Sequence, residues 1–200
     1  MRAINIILFV LILIGIGLMV SQNRWVPVLV EYILEHDVVE DYRDGSYRVE
    51  GYLVTLVDGE SDVPIVPDGS SRILTRYFGN ELRKDIDGDG REDVVFFLTQ
   101  ERGGSGVFFY IAAALARDGG YIGVDATVVG DRIAPQSITS GPGRQVWANY
   151  ADRAPGEPMT ARPSVGRTLR LLLDTETRQF GEVVADFEGE SNIPGAYKGR

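Results

Sequence analysis

The chain of 200 residues contains no cysteine and a single histidine, His36. Without cysteine there is no disulfide framework, no thiol catalysis and no zinc site built from thiolates. A histidine-rich zinc site is excluded by count, and a Ser-His-Asp triad in the body of the chain would have to borrow His36 from the N-terminal region. An exported domain in this chain must therefore be stabilised by its hydrophobic core, by a metal ion held by oxygen atoms, or by both.

Positive charge is also scarce, since 20 Lys and Arg residues face 29 Asp and Glu residues and give a formal net charge of −9. Arg2 is the only charged residue among the first twenty, so the rest of the chain carries −10. A domain this acidic repels phosphate backbones and anionic lipid headgroups. We therefore expect neither nucleic acid nor an anionic lipid surface as a partner of this acidic part.

One long hydrophobic run opens the chain. Ala3–Val20 reads AINIILFVLILIGIGLMV, carries no charge and has Asn5 as its one polar side chain. As a helix it would span about 27 Å, close to the bilayer core of about 30 Å. No cleavage site of small residues follows in MVSQNRW, and Trp25 stands where an interfacial aromatic residue would lie. We interpret residues 1–24 as a transmembrane signal anchor; the alternative is a cleaved signal peptide and a secreted or periplasmic product.

The charges at the two ends of this run indicate its orientation. The amino terminus and Arg2 lie on one side, and Arg24 lies on the other. This balance slightly favours the amino terminus in the cytoplasm. We therefore expect a single-pass protein of the cell membrane with its domain on the extracytoplasmic side. An envelope protein and a polysaccharide are the two classes of partner considered there.

Two further segments flank the main domain. In Pro27–Asp41, PVLVEYILEHDVVED, apolar residues such as Leu29 and Ile33 recur at helical spacing, and proline suits a first helical turn. We predict a linker helix within residues 25–44. At the other end, residues 188–200 are polar and glycine-rich, and we expect a flexible tail.

Residues 45–187 are predicted to form the domain itself. Runs of Val, Ile, Phe and Tyr are broken about every ten residues by Gly or Asp-Gly, which is typical of antiparallel strands. Residues 47–57 are predicted to form one strand that ends at a turn at Asp58-Gly59. The alanine-rich stretch Ile111–Arg117 has helical propensity, but Gly119-Gly120 closes it like a hairpin, so it too is predicted to be a strand. The expected fold is mainly β, an antiparallel sheet or a sandwich-like domain, with α+β as the alternative.

The densest motif is DIDGDGRED, residues 85–93. Numbered from Asp85, aspartates stand at positions 1, 3, 5 and 9, a glycine stands at position 6, and position 7 supplies only a backbone carbonyl in calcium loops of the EF-hand kind. Alternate residues of a tight loop can point at one centre, and glycine permits the positive φ that the turn needs. We predict one calcium ion, most simply a structural one, with these ligands: Asp85, Asp87, Asp89, the backbone carbonyl of Arg91, and Asp93.

This loop departs from an EF-hand in two ways. Position 12 is Phe96 instead of a bidentate Glu, and a strand-like run follows at once instead of a helix. Asp93 must therefore close the site, and Lys84 and Arg91 are expected to offset part of the carboxylate repulsion. The alternatives are a metal-free acidic turn, since Asp-Gly is good turn chemistry, and a catalytic acid cluster.

The stretch FGNELRKDIDGDGREDVVFF resembles the aspartate loops of FG-GAP and related repeats. Those loops carry D-x-D-G-D-G-x-x-D between strands and bind calcium outside the cytoplasm, so the resemblance implies the same role for the four aspartates here. The chain has a single copy, which excludes a propeller. A wider string over residues 47–175, including GGSGVFFYIAAAL, VGDRIAPQSI and NYADRAPGEP, resembles a family of uncharacterised exported bacterial domains and brings no known activity.

These observations favour a binding or structural module of the cell envelope. The rival hypothesis is an envelope hydrolase that uses a carboxylate such as Asp93 or Glu101 with water. Ser105 is not expected to act as a nucleophile, because Val107 stands where a G-x-S-x-G elbow needs its second glycine. An enzyme should show a concave site with convergent acidic groups and a raised carboxylate pKa, whereas a module should show its aspartates converging on one point.

Overall fold

The computed structural model describes residues 38–67 and 69–184. The predicted anchor, most of the predicted linker helix and the predicted tail lie outside these residues. Among the described residues, no helix has the length and apolar character needed to cross a membrane. Where the predicted linker is described, Val39 forms an isolated antiparallel bridge with Tyr121 and Tyr42–Asp44 forms a 3-10 helix, so no α-helix extends over residues 38–44.

Within the described residues the chain folds into twelve strands, which confirms the mainly β prediction. In chain order they are β1 (Ser46–Val49), β2 (Tyr52–Thr55), β3 (Glu60–Pro64), β4 (Arg72–Lys84), β5 (Asp93–Glu101), β6 (Val107–Arg117), β7 (Gly120–Gly123), β8 (Asp125–Asp131), β9 (Ala134–Ser140), β10 (Val146–Asp152), β11 (Val165–Asp174) and β12 (Gln179–Glu182).

These strands form two sheets. The larger sheet has eight strands in the order β2-β1-β8-β6-β5-β4-β3, and β7 pairs with β6 beside β8. The pairings in this larger sheet are antiparallel except for a short parallel pairing of β1 with β8. The smaller sheet has the order β12-β11-β10-β9 and is antiparallel throughout.

The central strands β5 and β6 are buried on both faces. Successive side chains of a strand point to opposite faces, so alternate residues enter two different cores. One core joins the two sheets and contains, among others, Val95, Phe97, Ile111, Ala113, Val146, Ala148 and Leu171. The other lies under the β1–β2 hairpin and contains Tyr47, Val49, Leu56, Val94, Phe96, Leu98, Tyr110, Ala112 and Ala114.

Burial on two faces also explains why Ile111–Arg117 is a strand despite its alanines. Ala112, Ala113 and Ala114 are fully buried, and the strand is paired along its length by β5 on one side and by β7 and β8 on the other. These tertiary contacts outweigh a helical propensity that amounts to only a few tenths of a kcal/mol per residue. The prediction of a hairpin after this strand is confirmed, because Arg117 pairs with Gly120.

The prediction of one strand over residues 47–57 is wrong. Glu50 and Gly51 have φ values of 50° and 84°, and this turn divides the segment into β1 and β2, which pair as a hairpin. Positive φ at both central residues is the geometry that matches the twist of a two-residue hairpin. The turn predicted at Asp58-Gly59 is present, with φ values of 52° and 81°.

Candidate metal centre

The aspartate loop, residues 85–92, connects β4 to β5. Ile86, its second residue, is fully buried in the core between the two sheets and anchors the loop there. Gly88 and Gly90 have φ values of 86° and 87°, a left-handed conformation that glycine adopts without a steric cost. The two glycines therefore allow the tight reversal that the sequence predicted.

Backbone N–H groups of the loop hold its three aspartates in place. Asp85 accepts hydrogen bonds from the Gly88 and Gly90 N–H groups, at 2.6 and 3.0 Å. Asp87 Oδ1 accepts from the Asp89 N–H at 3.1 Å, and Asp89 Oδ1 accepts from the Arg91 N–H at 2.9 Å. In both Asp87 and Asp89 the loop therefore uses Oδ1 and leaves Oδ2 for another partner.

Asp85, Asp87 and Asp89 form a group that could hold a metal ion. Each offers one carboxylate oxygen, and the three oxygens lie within 4.8 Å of one another. Two ligands of one calcium ion at about 2.4 Å each can lie up to about 4.8 Å apart, so these separations are compatible with a shared ion. The donors are hard oxygens without sulfur or imidazole, which suits calcium, magnesium or manganese better than zinc.

Asp93 stands apart from this group. It is fully buried, and its two oxygens accept hydrogen bonds from the Ile86 N–H at 2.9 Å and the Ala116 N–H at 2.8 Å. Burial raises the pKa of the Asp93 carboxyl, although both hydrogen bonds oppose that rise. Its carboxylate joins the loop to both central strands, and its role as a metal ligand stays a prediction.

Arg91 was predicted to contribute a backbone carbonyl and to screen the cluster with its side chain. The guanidinium lies 2.9 Å from Asp118 Oδ1 and 4.0 Å from Asp89 Oδ2, so it is close to the cluster but is engaged mainly by Asp118. The carbonyl as a ligand stays a prediction.

A different arginine lies closest to the ligand oxygens. Arg117, the last residue of β6, places Nη2 3.0 Å from Asp87 Oδ2 and Nη1 3.3 Å from Asp89 Oδ2. The Asp87 side chain is only 7% exposed, so this ion pair is partly shielded from water. The two oxygens that the loop leaves free are the ones that Arg117 contacts.

That Lys84 screens the cluster stays a prediction, and its ammonium has other hydrogen-bond partners. The ammonium donates to Ser140 Oγ, to the Gly141 carbonyl and to the Gln145 carbonyl, at 2.8, 3.0 and 2.9 Å. Lys84 thereby clamps the end of β4 to the β9–β10 connection of the smaller sheet. From that same connection, Arg144 Nη1 donates to the Asp87 carbonyl at 2.6 Å.

Arg117 and Arg144 were not identified from the sequence. Arg117 follows from register: Val94 pairs with Ala114, and continuing this antiparallel pairing brings the end of β6 beside the end of the loop. A β5–β6 hairpin drawn from the GGSG turn would have found it. Arg144 belongs to the other sheet, and no local signal in the sequence places it here.

The described residues also line an open cavity of about 480 Å³ next to Gln100 of β5, between the β1–β2 hairpin and strand β3. Its walls include Leu53, Val63 and Ile73. Its lining includes Glu50 and Arg102, joined by a 2.7 Å ion pair. The hydrogen bond from Arg102 lowers the pKa of Glu50, the reverse of the shift expected for a general acid at neutral pH.

The two carboxylates considered for a hydrolase are both engaged. Asp93 is enclosed by the loop and by β6, as described above. Glu101 accepts a hydrogen bond from Arg76 at 2.9 Å. Ser105 is exposed in the connection between β5 and β6.

Compared with known proteins, the chain matches no family model, no curated protein and no solved structure. The likeness of the loop to FG-GAP repeats therefore stays a prediction from the motif.

Proposed function

We propose that this chain is a membrane-anchored, extracytoplasmic β module that is stabilised by one calcium ion in the loop of residues 85–93. The observation that carries the proposal is the group formed by Asp85, Asp87 and Asp89, whose oxygens lie within reach of one ion. The FG-GAP-like spacing of the same aspartates supports the proposal from the sequence.

Calcium suits this donor set better than magnesium does. Calcium accepts six to eight oxygens in flexible geometry, so the three loop carboxylates, the Arg91 carbonyl, the predicted closing ligand Asp93 and waters can complete its shell. Magnesium demands a tighter octahedron and gives up its own waters reluctantly. The affinity expected for an extracellular module is about 10⁻⁴–10⁻³ M, which suits calcium outside the cell.

The role of the ion would be structural. Ile86 fixes the loop in the core between the sheets, and Asp93 ties the loop to β6, so an ion held by the loop stabilises the junction of β4, β5 and β6. By linkage, calcium at 100 times its Kd would add about 2.7 kcal/mol to the free energy of unfolding.

The arrangement of carboxylates supports a module over a hydrolase. The loop aspartates converge on one point, and the carboxyl whose pKa is raised, Asp93, is enclosed instead of facing the cavity. At the cavity, Glu50 is paired with Arg102 and its pKa is lowered. A carboxyl group that acts as a general acid at neutral pH needs the opposite combination of an open site and a raised pKa.

Thermal melting tests the calcium site. We expect millimolar calcium to raise the Tm of the wild type and magnesium to raise it less. Asp87→Ala should abolish most of this response, because it removes one of the three converging carboxylates. Asp62→Ala is the matched control, since Asp62 is an exposed aspartate of β3 paired with Arg72 far along the chain from the loop. If neither calcium nor chelator changes the Tm of the wild type, the result would contradict the proposal.

Membrane fractionation tests the anchor. We expect the full chain to sediment with membranes and residues 25–200 alone to stay in the supernatant. Recovery of a mature soluble form that begins near Ser21 would show that the hydrophobic run is a cleaved signal peptide.

A further inference from the structure

The contacts of Arg117 point to a competition within the site. In Asp87 and Asp89 the loop's own N–H groups take Oδ1, and the guanidinium of Arg117 takes Oδ2 of both residues, at 3.0 and 3.3 Å. An ion that bound both residues through their free oxygens would approach from the side that the guanidinium occupies. A divalent ion and a guanidinium cannot both lie against the same two oxygens, because like charges at such a distance repel strongly.

We propose that Arg117 is a built-in competitor of the calcium ion, which neutralises Asp87 and Asp89 in the metal-free protein and must withdraw when the ion binds. This inference rests on the calcium site proposed above. The competition weakens calcium binding and keeps the metal-free loop folded, because two close carboxylates without a counter-cation would repel each other.

The surroundings of Arg117 allow its side chain to leave without moving the strand. The preceding residue, Ala116, is held by the hydrogen bond from its N–H to Asp93. The Arg117 side chain is 31% exposed, so it already reaches solvent. Beyond Arg117 the chain enters the β6–β7 turn, where the exposed Asp118 forms an ion pair with Arg91.

The test is calorimetric titration of the full chain with calcium chloride, in the wild type and in two single variants. Arg117→Gln removes the guanidinium from the ligand oxygens. Arg144→Gln removes the same unit of charge next to the loop, but Arg144 contacts the Asp87 backbone carbonyl and no ligand oxygen. The melting temperature of each protein in chelator provides a second readout that does not depend on calcium.

We expect Arg117→Gln to lower the Kd for calcium about five- to tenfold and to lower the Tm in chelator. Arg144→Gln should change the Kd only about twofold, because a charge that does not touch the ligands acts through screened solvent. If Arg117→Gln binds calcium and the wild type does not, the result also supports the inference. It would then contradict the proposed function, in which calcium stabilises the wild type.

Two results would overturn the inference. If the wild type binds calcium and Arg117→Gln binds it equally or more weakly, or gains no more than Arg144→Gln, Arg117 is not a competitor and the proposed calcium module stands. If neither the wild type nor Arg117→Gln binds calcium, the proposed module fails, and Arg117 is an ordinary ion-pair partner of an acidic turn.

Discussion

The carboxylate of Asp93 accepts a hydrogen bond from the Ala116 N–H at 2.8 Å, which joins the first residue of β5 to the end of β6. Its second oxygen accepts from the Ile86 N–H at 2.9 Å and so holds the start of the aspartate loop. One buried side chain thus connects three segments of backbone. The closing aspartate of the motif therefore has a structural task that does not need a metal ion.

Substitution of Asp93 tests this task. Asp93→Asn keeps one acceptor oxygen and loses the other, so one buried N–H group is left facing an amide nitrogen. We expect the free energy of unfolding in chelator to fall by about 1–3 kcal/mol, measured by urea denaturation. Asp118→Asn, at a side chain that is 97% exposed, should leave stability essentially unchanged. An Asp93→Asn variant as stable as the wild type would contradict this role.

A second prediction concerns Lys84, whose ammonium joins the end of β4 to the β9–β10 connection of the smaller sheet. Lys84→Met keeps much of the aliphatic stem but removes the donor that serves the Gly141 and Gln145 carbonyls. We expect a loss of about 1–3 kcal/mol in the free energy of unfolding by the same measurement. Arg72→Met, which breaks an exposed ion pair with Asp62, should cost less. Equal effects of the two substitutions would show that Lys84 is no clamp.

A third prediction concerns pH and the Glu50–Arg102 pair. The hydrogen bond from Arg102 lowers the pKa of Glu50, so the folded state favours the ionised carboxylate. Its contribution to stability is present above the ordinary Glu pKa of about 4.3 and is lost as the pH falls through the lowered value. We expect the stability difference between the wild type and Glu50→Gln to shrink as the pH falls from about 7 to about 3.

The control for this titration is Glu176→Gln, at an exposed residue of the β11–β12 turn. We expect the stability difference of Glu50→Gln to change more over this pH range than that of Glu176→Gln. Equal changes in the two differences would contradict the coupling between Glu50 and Arg102.

The strands could be predicted from the sequence because their signals are local. Alternating apolar residues and Asp-Gly turns identified the β domain, and Gly119-Gly120 decided correctly against a helix over Ile111–Arg117. The division of residues 47–57 was missed because Glu50 adopts a positive φ, which is uncommon for a residue other than glycine. Burial on both faces also hides the alternation in β5, where every residue from Val94 to Leu98 is buried.

The site was only partly predictable, for a different reason. The spacing predicted that Asp85, Asp87 and Asp89 lie together, since alternate residues of one tight loop can point at one centre. The cations could not be placed by proximity in sequence: Lys84, directly before the loop, turns to the other sheet, whereas Arg117 comes from a strand end far along the chain. Charge neutralisation in this site depends on tertiary pairing, which composition does not encode.

The most direct test of the calcium module is a crystal structure of the domain grown in about 10 mM calcium, roughly ten times the weakest Kd expected of an extracellular module. We predict one ion within about 2.3–2.6 Å of a carboxylate oxygen of each of Asp85, Asp87 and Asp89 and of the Arg91 carbonyl. Density with no ion at this point, and with Arg117 still paired to Asp87 and Asp89, would contradict it.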